Sequence, residues 1–315
     1  YNIIQGDDRL VLEIFYGRSY PDLTERICSR LKIKASTLTI KSYKNGCVEL
    51  ALDGQKNRKN SIVIVQTSDA LNLSDDIWEL LLMVRTAKEL GYQKIIVVMP
   101  YLSYARSDKP SLPGMIITGK FLMELLNFAG ANYFIGIDLH SKKFESTFPT
   151  KMKLIHLSAL EVLAKQLENE NVKNVLLLPA DEGALEKANR FGKLLNIDDI
   201  GNVVKKRIND NKVKLKITKC NPKDKHIIVI DDEISTGTTM GTLIKKLTRL
   251  GAKSVTIVAT HGLFVGNAIE NLKQSILKKI IVTDTIPITE ETLRLLPIEV
   301  VAVDELLANA ICELI

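Results

Sequence analysis

Short apolar runs rich in valine and isoleucine recur along the chain, at residues 61–66, 94–99, 133–138, 174–178, 226–230, 254–260 and 279–283. Continuous runs of strand length predict strands buried on both faces, the pattern of parallel sheets covered by helices. Between many of them a 3.6-residue period predicts helices over 76–90, 117–129, 183–195 and 238–250. Gly91, Gly130 and Gly251 directly follow three of these stretches, where a left-handed C-terminal cap belongs. Strands alternating with helices predict an α/β, doubly wound architecture of mostly parallel sheets flanked by helices.

A weak internal repeat sharpens this. ELGYQKIIVVMPY at 89–101 and RLGAKSVTIVATHG at 249–262 share a helix end, a glycine, a buried strand and a loop, and FAGANYFIGIDLH at 128–140 is a third relative. With 315 residues, enough for two domains, the repeat predicts two similar domains, 1–149 and 150–315, joined near 149–153. In open α/β sheets the loops after strand C-termini build the sites.

Composition changes the picture mainly by exclusion. Hydrophobic residues make up 46% and charged residues 25%, ordinary for a globular protein with a full core. No apolar run approaches the roughly 18 residues that span a bilayer, and the first residues lack the basic segment and apolar run of a secretory leader. Cys28, Cys47, Cys220 and Cys312 are far apart and form no CxxC pair. That speaks against zinc and against a disulfide framework, and fits a reducing cytoplasm. The net charge of +6 suits anionic substrates such as nucleotides and sugar phosphates. The basic residues are dispersed and no nucleic-acid motif is present, so no nucleic-acid or membrane partner is expected.

The strongest chemical constellation is HIIVIDDEISTGTTM at 226–240. A buried strand ends in adjacent carboxylates, Asp231 and Asp232, followed by a loop of Ser235, Thr236, Gly237, Thr238 and Thr239 and then a helix. Hydroxyls and unpaired N–H groups at a helix N-terminus cradle phosphate, and the helix dipole favours an anion. Gly237 permits a positive-φ turn and close backbone approach. The carboxylates can accept hydrogen bonds from a ribose diol, directly or through a metal. The Gly-Lys-Ser/Thr signature of a Walker A loop is missing.

This segment resembles the phosphoribosyl diphosphate (PRPP) motif shared by phosphoribosyltransferases and PRPP synthetases, the ribose-phosphate diphosphokinases. Four further stretches resemble the synthetases: PYLSYARSDKP at 100–110, DLHS at 138–141, and GNAIENL and VTDTIP near the end. The string STG, the segment DEGALEKA and a K-x-R-I string at 205–208 look closest to the archaeal branch.

The resemblance implies two domains of phosphoribosyltransferase type, an ATP side in the first and a ribose 5-phosphate side in the second, and Mg²⁺ as cofactor. Arg106 and Ser107 would bind ATP, together with a nucleotide loop matching 43–48, where Asn45, Gly46 and Cys47 stand in place of the usual acidic residues around a glycine. His140 would bind Mg²⁺ on the ATP phosphates, and Asp181 a second metal or the ribose. Lys205 and Arg207 would lie on a flexible loop over the transferred diphosphate, with Lys206 the alternative if the register slips by one. Asp231, Asp232, Ser235, Thr236, Gly237, Thr238 and Thr239 would hold ribose 5-phosphate. Ser235 departs from a common aspartate and Thr238 from a second glycine. The implied product is PRPP with AMP as leaving group, made by a cytoplasmic homo-oligomer built from dimers. The competing readings are a catalytically weak regulatory subunit and a phosphoribosyltransferase that consumes PRPP.

Overall fold

The computed structural model describes residues 12–53, 61–68, 71–107, 109–110, 112–168, 174–209 and 212–315; the side chains of 142 and 205–214 lie outside that description. The chain divides into two compact units, Tyr1–Leu157 with Val303–Ile315, and Ser158–Ala302.

In the first unit the order is β1 (Glu13–Tyr16), α1 (Pro21–Leu31), β2 (Thr37–Ser42), β3 (Val48–Asp53), β4 (Ser61–Val65), α2 (Leu73–Glu89), β5 (Lys94–Val98), α3 (Thr118–Ala129), β6 (Tyr133–Ile137), α4 (Lys142–Glu145) and β7 (Lys153–Leu157). Five strands form one parallel sheet in the order β1-β4-β5-β6-β7, while β2 and β3 pair as a separate antiparallel hairpin. Ile62, Ile64, Val97 and Phe134 are fully buried and pack with Leu80 and Met83 of α2 and Met123 and Leu126 of α3.

The second unit repeats the plan. It runs α5 (Leu160–Lys165), β8 (Val175–Pro179), a 3-10 turn (Glu182–Ala184), α6 (Leu185–Leu195), β9 (Asn202–Asn209), β10 (Lys212–Thr218), β11 (His226–Ile234), α7 (Thr238–Arg249), β12 (Ser254–Gly262), α8 (Ala268–Leu272), β13 (Leu277–Thr283), α9 (Glu290–Leu295) and β14 (Ile298–Val301). The parallel sheet is ordered β14-β13-β12-β11-β8, and β9 with β10 forms an antiparallel hairpin. Each unit therefore reads strand, helix, hairpin, then four further strands with intervening helices, which is the physical content of the internal repeat. The last helix, α10 (Asp304–Cys312), returns to the first unit and packs on α1, with Arg30 Nε 2.6 Å from Asp304 Oδ2.

The expected strands and helices are present, with ends moved by a few residues. Gly91, Gly130 and Gly251 have φ of 91°, 128° and 78°, so only glycine enters those turns without strain. The domain join differs from the expected 149/150. Residues 153–157 are β7 and pair with β6, and α10 belongs with the first unit. A boundary drawn at 149/150 from the repeat misses both, because pairing and helix docking decide membership.

Candidate functional site

All strands of each sheet run parallel, so one edge of each collects every strand C-terminus. In the second unit that edge carries the carboxylates and the hydroxyl loop. The strand does not end at the carboxylates as expected: β11 continues past them to Ile234, and Asp231 pairs with Ala259 of β12. The carboxylates thus sit on sheet backbone, which fixes them more firmly than a loop would. Asp231 Oδ1 accepts from the Asp232 amide at 2.9 Å, and Asp232 Oδ1 from the Glu233 amide at 2.8 Å.

The Asp231 carboxyl is held well above its ordinary range. Desolvation is the largest cause, the Asp232 carboxylate adds to it, and the charge of Asp181 contributes further, while the Asp232 amide pulls the other way. The edge therefore brings Asp181, Asp231 and Asp232 into one electrostatic field. Asp181 begins the 3-10 turn after β8 and caps it, accepting from the Gly183 amide at 2.9 Å.

Gly237 is the N-cap of α7 at φ 68° and ψ 0°. A Cβ there would stand 3.0 Å from Leu272 Cγ and 3.2 Å from the Ala268 carbonyl, so both turn and space require glycine. The Thr236 and Thr238 hydroxyls are 3.0 Å apart, and Asn271 donates to the Thr236 carbonyl at 2.9 Å. Ser235 is fixed from behind, its carbonyl accepting from Val265 N at 3.1 Å. Ser235 and Thr239 are half-buried, and Thr236 and Thr238 are exposed at the first turn of α7. α7 carries Lys246 and Arg249 in its last turn, complementing the dipole whose positive end faces the loop.

The backbone of Lys205, Lys206 and Arg207 lies in β9, opposite Leu215, Lys214 and Val213 of β10; their side chains lie outside the described residues, as does all of Asp210 and Asn211. The stretch expected as a loop is a hairpin, rooted by the buried Val203 and Leu215.

In the first unit the C-terminal edge carries the other candidates. Arg106 is exposed in the turn after β5, and Ser107 accepts from the Thr118 amide at the start of α3 at 3.2 Å. Asp108, within the same motif, lies outside the described residues. His140 is exposed just after β6. Asn45, Gly46 and Cys47 form the exposed tip of the β2–β3 hairpin: Gly46 has φ 86°, the Cys47 amide donates to Asn45 Oδ1 at 3.1 Å, and Tyr43 and Cys47 close the turn at 2.9 Å.

Sequence reasoning missed a polar cluster on this edge. The Arg18 guanidinium meets Glu79 at 2.7 Å and Ser42 Oγ, at the end of β2, at 3.1 Å, and its amide donates to Glu79 at 2.7 Å. Ser19 Oγ donates to the buried Gln66 at 2.7 Å. Polar side chains directly after two buried strands, at Arg18, Ser19 and Gln66, were the available signal.

For Mg²⁺, the second-unit edge supplies hard carboxylate oxygens whose mutual repulsion a cation would relieve, which fits the ion's chemistry. Among the described residues no group of three or more His, Cys, Asp or Glu side chains converges as a metal cage. A magnesium ion here would rest on one or two carboxylates, with phosphate oxygens and water completing it.

The family model described as the N-terminal domain of ribose phosphate pyrophosphokinase matches residues 12–130, and that of the phosphoribosyl synthetase-associated domain matches 173–315. The ribose-phosphate pyrophosphokinase of Fusobacterium nucleatum is 30% identical over 302 residues, covering 95% of this chain and 94% of the relative. The chain belongs to the ribose-phosphate pyrophosphokinase family. The Clostridium acetobutylicum member is also 30% identical, over 95% of this chain and 93% of its own. The crystal structure of phosphoribosylpyrophosphate synthetase from Mycobacterium smegmatis superposes with a TM-score of 0.89 at 27% identity, covering 96% of this chain and 98% of that one. The fold is the two-domain, phosphoribosyltransferase-type fold of this family.

Proposed function

We infer that the chain is a ribose-phosphate pyrophosphokinase, forming PRPP and AMP from ATP and ribose 5-phosphate. One observation carries this reading: the carboxylate pair Asp231 and Asp232 stands on sheet backbone directly before the 235–239 loop and the N-terminus of α7, in a chain similar to pyrophosphokinases over nearly its whole length. The sugar phosphate would be cradled by the loop, its diol by the carboxylates.

The ribose C1 oxygen attacks the β-phosphorus of ATP, the bond from that phosphorus to the α-bridging oxygen breaks, and AMP departs with the electron pair while the hydroxyl proton passes to solvent. Little covalent chemistry falls to the protein; positioning and charge neutralisation do the work. Asp231 and Asp232 orient the acceptor, 235–239 fixes its phosphate, and Arg106 with Lys205 and Arg207 offsets phosphate charge. Magnesium, when bound, would add charge neutralisation; His140 is proposed to hold the ion on the ATP phosphates, and Asp181 a second ion or the ribose. The 43–48 turn and Ser107 are proposed on the ATP side.

The four free cysteines fit a reducing cytoplasm, and among the described residues no helix is long and apolar enough to cross a membrane. A dimer-based homo-oligomer is proposed from the resemblance to this family alone. The finer archaeal affinity rests only on the string STG, the segment DEGALEKA and the 205–208 string, and nothing in the relatives named above, which are bacterial, supports it.

The test is AMP production from ATP with and without ribose 5-phosphate. Sugar-dependent AMP supports the reading. A chain that binds both substrates and forms no AMP is instead the regulatory subunit to which Asn45 and Cys47 point.

A further inference from the structure

We propose that His156 is a positioning residue for the loop that carries His140, held in place by Glu145; this rests on His140 belonging to the ATP side. The loop after β6 is unusual in its backbone. Asp138 is buried at 8% exposure and has φ 43°, a left-handed value uncommon outside glycine that aspartate tolerates better than most residues. Its amide is tied to the Leu157 carbonyl at 2.8 Å.

The next residue is tied by a side chain. The Leu139 amide donates to His156 Nε2 at 3.0 Å. Nε2 must therefore carry the lone pair and Nδ1 the proton, and Nδ1 lies 2.7 Å from Glu145 Oε1. Glu145 is the last residue of α4, a single turn started by Ser141, whose Oγ accepts from Phe144 N at 3.1 Å. Phe144 anchors that turn, fully buried and edge-on to Phe148 at 5.7 Å. The contacts form a ring: Leu139 to His156, His156 to Glu145, Glu145 through α4 to Ser141. His140 lies between the two residues so tied. A carboxylate that orients an imidazole, which in turn fixes a ligand-bearing segment, is the arrangement by which outer residues tune a site. Here the imidazole holds the backbone.

His156→Leu removes the acceptor, and His156→Gln replaces it with an amide oxygen. Calorimetric dissociation constants for ATP in magnesium and for ribose 5-phosphate read the effect without turnover, and thermal unfolding checks the fold. His156→Leu is expected to weaken ATP binding about tenfold, to leave ribose 5-phosphate unchanged, and to be largely rescued by His156→Gln. On a His140→Ala background its effect should shrink. Equal weakening of both ligands, no rescue by glutamine, or unchanged ATP binding overturns the proposal. If His140→Ala alone is silent while His156→Leu weakens ATP, the assignment of His140 falls and the positioning role of His156 stands through the loop backbone. If His140→Ala weakens ATP and His156→Leu does not, the reverse holds.

Discussion

At the scale of single residues, Asp231 shows a site set against stability. Its carboxyl is raised by desolvation first, then by Asp232 and Asp181. A carboxyl whose folded value exceeds its unfolded one contributes stability that is present below the ordinary carboxylate range. That contribution is lost as pH rises through the raised value. At neutral pH Asp231 therefore costs the fold. Asp231→Asn is expected to raise the melting temperature there and flatten its decline with pH, while weakening ribose 5-phosphate binding by about 1–3 kcal/mol through a lost acceptor. Melting curves across pH and a sugar titration check both. A variant less stable than the parent at neutral pH, or one that binds the sugar unchanged, contradicts this account.

At the scale of elements, the two hairpins matter most. The tip of β2–β3 exposes Cys47, whereas burial, helped by Glu25, pushes the Cys28 thiol up to about 11. Since the thiolate is the reactive form, a maleimide near neutral pH should label Cys47 first. Magnesium ATP should slow that labelling and ribose 5-phosphate alone should not. Labelling indifferent to ATP would take the 43–48 turn out of the nucleotide site. The β9–β10 hairpin supplies the extended backbone on which positions 205 and 207 alternate with 206. Lys205→Ala and Arg207→Ala are expected to lower kcat by about 10²–10³-fold with small changes in KM, and Lys206→Ala to be mild. A severe Lys206→Ala shifts the register by one; three mild variants remove this hairpin from the chemistry.

At the scale of the whole molecule, the chain crosses to the second unit after Leu157 and returns at Val303. α10 belongs to the first unit through Arg30, which meets Asp304 at 2.6 Å and Glu305 at 3.2 Å, and through Lys94, which donates to the Leu314 carbonyl. Deleting 303–315 should therefore lower hydrogen-exchange protection in α1 and leave β11 and β12 protected as before. Loss of protection in β11 and β12 with α1 unaffected would refute that division.

The sequence by itself determined the buried strands, the capping glycines, the duplicated plan and the 226–240 constellation. Each is written in local periodicity or in a residue type that the backbone demands, as at Gly237. The hairpins were less legible: Leu38 and Ile40 alternate in β2, but half-exposed strands carry polar residues as loops do. Tertiary structure alone decided that Asp231 lies inside β11, because its pairing with Ala259 is with a strand that arrives later in the chain. The same holds for the charge of Asp181 on Asp231, for Arg18 meeting Glu79 across 61 residues, and for His156 beneath Leu139. Such contacts depend on which strands become neighbours and in what register, and no local pattern encodes that choice.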